Sequence, residues 1–192
     1  FIAEYDGRHH IITGVSINST ENSFYSGLFG LVGSSDTSKS SKTGKLENIV
    51  IAADYKTVQY SVYNKKHAQN NGEKAYIGML TGYLGAESEI TNCAAASYEL
   101  IGYSYGNSDI YAGGLVGFNA GYISNSSADI PVIKLYSNGT SDAYVGSFTG
   151  YNSSRGVITD SYGLAYIDAG TSDTTGEFKL GGFAGINYGH IE

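Results

Sequence analysis

One column of glycines constrains this chain more than any other feature. Gly30, Gly82, Gly117, Gly150 and Gly185 each sit in a similar apolar stretch. Two places before them stand Leu28, Leu80, Leu115, Phe148 and Phe183. One place after them stand Leu31, Tyr83, Phe118, Tyr151 and Ile186. The intervals are 52 residues (30 to 82), 35 (82 to 117), 33 (117 to 150) and 35 (150 to 185). A near-constant interval of this size marks one supersecondary unit stacked on itself, because such a unit buries its apolar face only against a neighbour. The long first interval reads as a loop insertion at Val58–Lys74, a polar segment containing Asn70-Asn71-Gly72.

The fullest copy is Tyr111–Ala128, YAGGLVGFNAGYISNSSA. Its second half alternates, and side chains that alternate with period two belong to a strand. The same pattern recurs as Leu46-Glu47-Asn48-Ile49, Ile90-Thr91-Asn92-Cys93 and Ile158-Thr159-Asp160-Ser161. Three strands per unit are expected: Tyr111–Val116, Tyr122–Ala128 and Val132–Tyr136 in the fullest copy, then a polar return loop at Ser137–Asp142. Tyr98–Tyr105 and Ala165–Ile167 are the matching third strands, with loops Gly106–Asp109 and Ala169–Gly176. Helical spacing is weak throughout. The expected fold is all-β, a right-handed parallel β-helix of about five coils with three strands each; a β-sandwich of repeated hairpins is the alternative.

The chain is expected to be one module over 1–192. Residues 1–23 form a lead-in coil or cap, and repeats begin near 24, 76, 111, 144 and 179, the last incomplete. Like residues should then lie over like. Asn48, Asn92 and Asn125, with Asp160, would form a side-chain ladder at a strand end. Asn119, Asn152 and Asn187 occupy a second turn, where asparagine tolerates left-handed φ. Leu115 and Phe118 differ in parity, so both face inward only if the chain bends at Gly117. The column glycines are accordingly expected at turns, where the backbone needs positive φ or has a close neighbour. Tyr76, Tyr111 and Tyr144 share a column, continued by Phe24 and broken by Lys179; parity with Leu115 places it in the core.

Gly27-Leu28-Phe29-Gly30 and Gly114-Leu115-Val116-Gly117, followed by Asn-x-Gly-x-Ile-x-Asn-Ser, resemble the GLUG motif of large bacterial surface proteins. That group includes haemagglutinin-like adhesins and the non-catalytic region of IgA-specific metallopeptidases. The aromatic-Asp-Gly and His-x-Ile of the first residues resemble the lead-in to such repeats. The resemblance runs from Phe24 to the end. It implies a structural or adhesive module at the bacterial surface or in the medium, whose partner is a host glycan or protein.

The bulk numbers exclude more than they name. Net charge is −7 and no basic stripe is present, against a nucleic-acid role. No apolar run approaches the roughly 20 residues of a membrane helix. Hydrophobic content of 41% with 15% charge suits an ordered chain. One proline among 192 residues fits continuous sheet, and Pro131 sits where a third strand should begin. The chain opens at Phe1 and stops partway into a repeat at Glu192, so it reads as a piece of a longer polypeptide. The open last rung is expected to fray or to associate end to end.

Candidate chemistry is sparse. The grouped aspartates, Gly-His-Gly and Arg-Ile-Lys of parallel β-helix pectin hydrolases do not occur, nor does His-Glu-x-x-His. Asp54, Asp129 and Asp168 follow the second strand at similar places and read as solvated turn residues, with stacked calcium-binding carboxylates as the other possibility. His9 and His10, near Asp6, are adjacent on an extended segment and so diverge. Cys93 is a lone thiol in a strand column. No catalytic residue, metal site or cofactor is expected. The 18 tyrosines are the one hint of a binding surface.

Overall fold

The computed structural model describes residues 1–19, 24–36, 42–52, 62–67, 74–106, 108–171 and 176–192, with the backbone alone at 62–67, 104–106, 138–139 and 171. The described residues are all β and turn, without helix. The chain winds as a β-solenoid of about four turns. Every described strand pairing is parallel, which rules out a sandwich of hairpins, whose strands would pair antiparallel.

Four sheets, not three, run along the stack. Sheet I holds Tyr25–Ser26, Lys74–Gly78, Asp109–Gly113, Ala143–Gly146 and Phe178–Gly181. Sheet II holds Phe29–Val32, Thr81–Leu84, Val116–Asn119, Thr149–Asn152 and Ala184–Asn187. Sheet III holds Glu4–Asp6, Lys45–Glu47, Glu89–Thr91, Tyr122–Ser124, Val157–Thr159 and His190–Ile191. Sheet IV carries the long strands Glu99–Gly106, Ser127–Gly139 and Tyr162–Thr171, with shorter ones at Ile11–Ile12, Ile17–Ser19, Val50–Ile51, Val62–His67 and Ala94–Ala96. Two expected strands are therefore each cut by a corner. Tyr111–Val116 breaks at Gly114-Leu115, and Tyr122–Ala128 breaks at Asn125-Ser126. The lead-in residues supply the first strands of sheets III and IV.

The core is built as stacked columns. Leu46, Ile90, Ile123 and Ile158 lie in register on sheet III, each about 1% exposed or less. Leu80, Leu115 and Phe148 fill the corner between sheets I and II and are equally buried. Phe148 stacks on Phe183 with ring centroids 4.8 Å apart. Each coil supplies the apolar neighbour that the next coil needs, at the spacing of paired strands.

The parity conflict resolves differently from expectation. The bend falls at Gly114-Leu115, and Gly117 lies inside the strand Val116–Asn119. Among the described glycines, positive φ occurs at Gly14 and Gly33 and not in the repeat column. Of the two expected reasons for glycine, positive φ and a close neighbour, the second holds at Gly117. A Cβ there would stand 2.6 Å from both Gly82 O and Ile77 N, so sheet II presses its backbone onto sheet I. Gly150 repeats this, 2.6 Å from Ala112 N.

The expected loops are shorter than the sequence suggests. Ser137 to Gly139 continue the strand Ser127–Gly139, and Ala169 to Thr171 continue Tyr162–Thr171. Gly106 ends one strand and Asp109 begins another. Within Val58–Lys74, Val62–His67 is a strand paired with Glu99–Gly106, and Lys74 begins the next strand, so the stretch is not loop throughout. Asn70-Asn71-Gly72 lies outside the described residues. Pro131 sits within a strand at a register break, where Ile130 pairs Ala165 and Val132 pairs Tyr166. This bulge leaves proline's missing N–H without consequence for that ladder and lets both Ile130 and Ile133 point inward.

Candidate functional site

The two asparagine sets both form amide ladders, with different backbones. Asn48, Asn92 and Asn125 have φ of 54°, 55° and 46°, and Asp160 continues them at 48°. Asparagine tolerates this left-handed conformation, which turns the chain sharply from sheet III into sheet IV. Asn92 Nδ2 donates to Asn48 Oδ1 at 2.7 Å, and Asn125 Nδ2 donates to Asn92 Oδ1 at 3.3 Å. Asn48 Nδ2 in turn donates to Asp6 Oδ1 at 2.9 Å, and that bond is the main cause holding the Asp6 carboxyl below its usual range. Asn119, Asn152 and Asn187, expected at left-handed φ, lie at strand ends without it. Their ladder runs the other way, Asn119 Nδ2 to Asn152 Oδ1 and Asn152 Nδ2 to Asn187 Oδ1, both 2.8 Å.

The tyrosines form two aromatic columns set at right angles. Tyr25, Tyr76, Tyr111 and Tyr144 stack along sheet I at centroid distances of 5.3, 5.2 and 4.7 Å. Tyr25, not Phe24, continues the column, because the first repeat is one residue shorter between sheet I and its corner. Lys179 does take the next place, and its Nζ lies 5.2 Å from the Tyr144 ring centroid. Tyr83, Phe118 and Tyr151 form the second column on sheet II, 4.7 and 4.8 Å apart. Tyr76 meets Tyr83 edge-on at 88°. Tyr111 and Tyr144 are 3% and 9% exposed, yet they form a layer separate from the Ile110 and Ala112 core. Burial raises the phenol pKa values of Tyr76, Tyr111 and Tyr144 well above the usual range.

The remaining candidates do not converge. Register sets Asp129 beside Leu164 and Asp168 beside Lys134, so the aspartates form no column; Asp54 lies outside the described residues. The four extra positions from Ile158 to Asp168 (10) over those from Ile123 to Asp129 (6) put Asp168 beyond the bulge, on another row. Cys93 is buried, its Sγ facing Thr91 O at 3.3 Å, and burial pushes its pKa up to about 11. Among the described residues, no three His, Cys, Asp or Glu side chains are placed to hold a metal ion. Glu4, Glu87 and Glu89 line a recess of about 370 Å³, where Lys45 Nζ holds Glu4 at 3.0 Å and Glu47 at 2.7 Å.

The feature that sequence reasoning missed is a groove beside the Asn92 ladder. It has a volume of about 200 Å³. Its floor is the outward column Val50, Ala94 and Ser127, which register places side by side. Asn92 and Asn125 line one side. Tyr162, 59% exposed, closes the end where it follows Ser127 in the column. The signal was available: three short side chains recur one place before a strand's inward residue, Val50 before Ile51, Ala94 before Ala95 and Ser127 before Ala128, but only register shows that a bulky tyrosine follows them.

No protein-family model, no curated protein and no solved structure matches this chain.

Proposed function

We propose that this chain is a non-catalytic structural and adhesive repeat module of a bacterial cell-surface or secreted protein. The observation that carries the reading is where the chain's distinctive residues act. The glycine column, both amide ladders and both aromatic columns join one coil to the next rather than converging on a reaction centre. A stack held in this way serves as a stiff spacer with a long lateral surface. The resemblance to GLUG repeats supports the extracellular location and a host glycan or protein as partner. The module needs no cofactor for this role.

The test has two arms. Beads coated with the folded chain should be retained on host-cell or glycan surfaces, and beads coated with the unfolded chain should not. Equal retention of both would remove the adhesive part. In the second arm, polysaccharides incubated with the chain, with or without calcium, should show no new reducing ends. Turnover that disappears in Asp129→Asn would make the module an enzyme.

A second reading, a dedicated glycan- or host-protein-binding module such as the recognition part of a surface peptidase, is favoured by the groove beside Tyr162.

A further inference from the structure

We propose that the groove between the Asn92 ladder and Tyr162 binds a neutral carbohydrate chain lying along the solenoid axis. This rests on the adhesive reading and assigns it a place. The chemistry of the asparagine side comes first. A side-chain amide offers two N–H donors and two acceptor lone pairs. Asn92 uses one donor on Asn48 Oδ1 and one lone pair on Asn125 Nδ2. Asn92 keeps one N–H and one lone pair, and Asn125 keeps one N–H and both lone pairs, set apart by the roughly 4.8 Å spacing of paired strands. A row of donor–acceptor pairs matches sugar hydroxyls, each of which both donates and accepts.

The floor and the end complete the match. Ala94 and Ser127 keep the floor shallow, so a ring reaches the amides without displacing a side chain. Tyr162 stands up from the next coil and offers an exposed aromatic surface to the apolar face of a sugar ring. The Asp160 carboxylate adds acceptors at that same end.

Other occupants fit less well. A peptide strand adding to a sheet needs an unpaired backbone edge. Ala94–Ala96 is paired on both sides, with Val50–Ile51 and with Ser127–Gly139. Deep apolar pockets for side-chain anchors are absent from the groove's lining. His9 and Asp160 are the side chains of the lining that commonly bind ions, and an anionic glycan would meet the Asp160 carboxylate on a chain of net charge −7. The groove is also smaller than the roughly 300 Å³ of pockets that enclose a drug-sized ligand, which suits a chain lying across it.

The experiment is a nitrogen-15 NMR titration of the chain with four neutral tetrasaccharides, of glucose, mannose, galactose and N-acetylglucosamine, each up to about 10 mM, ten times a millimolar Kd. One or more should shift the Asn92 and Asn125 side-chain amide signals together with the Ser127 backbone. Tyr162→Ala should weaken that binding by at least about tenfold, or 1.4 kcal/mol. Tyr162 is largely exposed, so the variant should keep the parent melting temperature. Tyr188→Ala removes an equally exposed ring outside the groove and should leave binding unchanged. Silence with all four sugars, or shifts that persist in Tyr162→Ala, would overturn the proposal. The bead experiment is independent of it, so adhesion that survives Tyr162→Ala would retain the adhesive reading and discard the groove.

Discussion

Asn92 and Asn48 stand 44 residues apart in sequence, yet Asn92 Nδ2 donates to Asn48 Oδ1 at 2.7 Å and both backbones are left-handed. One residue type meets two demands there: the corner needs positive φ, and the stack needs an amide. The two can be separated. Asn92→Gly keeps the backbone free and removes the amide, which should cost about 1 kcal/mol. Asn92→Ala adds left-handed strain of about 1–2 kcal/mol on top. Urea unfolding of both variants measures the difference, and equal losses would mean that φ does not select asparagine at this corner.

The glycine column makes an unequal set. A Cβ at Gly117 would lie 2.6 Å from two backbone atoms, whereas at Gly30 the nearest atom, Tyr25 O, is 3.2 Å away. Neither residue has positive φ. Gly117→Ala should therefore destabilise by about 2 kcal/mol or more through overpacking, and Gly30→Ala should stay within about 1 kcal/mol of the parent. If both alanines behaved alike in thermal melts, close approach of sheets I and II would not be the reason for the column.

Alkaline pH should loosen the aromatic layer. The phenols of Tyr76, Tyr111 and Tyr144 titrate above their unfolded value near 10 because burial disfavours the tyrosinate. A folded pKa above the unfolded one means that the folded state holds its protons more tightly. Its contribution is complete below about pH 10 and is lost as pH rises through the folded values. Urea midpoints should be flat up to about pH 9.5 and then fall. Tyr111→Phe should make the fall shallower, and a fall of undiminished slope would place its cause elsewhere.

Much of this architecture was legible in the sequence, for physical reasons. Stacking in parallel register puts like on like, so the Leu46, Ile90, Ile123 and Ile158 column could be read from spacing alone. The Asn92 ladder was legible for the same reason. Corners were not, because a corner within an apolar stretch leaves no gap in hydrophobicity. Leu115 is buried at the bend itself, and Gly117 takes its identity from a backbone 40 residues earlier, at Ile77. The assignment of left-handed φ to Asn119 failed because asparagine serves buried ladders as well as turns. The groove was hidden because it depends on a tyrosine from one coil falling in line with a serine one coil away and an alanine two coils away.

The last coil should be the loosest. Among the described residues the strand His190–Ile191 pairs with Val157–Thr159 alone, and Leu180 and Tyr188 are 50% and 66% exposed. Hydrogen exchange should show less protection over Gly181–Glu192 than over Gly113–Ala128. Protection of the last coil that rises with protein concentration would reveal end-to-end association of copies. Uniform protection in a dilute, strictly monomeric sample would contradict the expected fraying.

The central claim is parallel stacking in one register, and a cross-coil disulfide tests it most directly. Thr91 and Ser124 are register partners on sheet III, with their hydroxyl oxygens 3.3 Å apart. Neighbouring strands bring such Cα atoms about 4.8 Å together, inside the 4.4–6.8 Å range of disulfides. In a Cys93→Ala background, Thr91→Cys with Ser124→Cys should oxidise to an intramolecular disulfide in the native state. Thr91→Cys with Tyr122→Cys is two residues out of register and should stay reduced under the same conditions. A disulfide in the second pair and none in the first would contradict the solenoid described here.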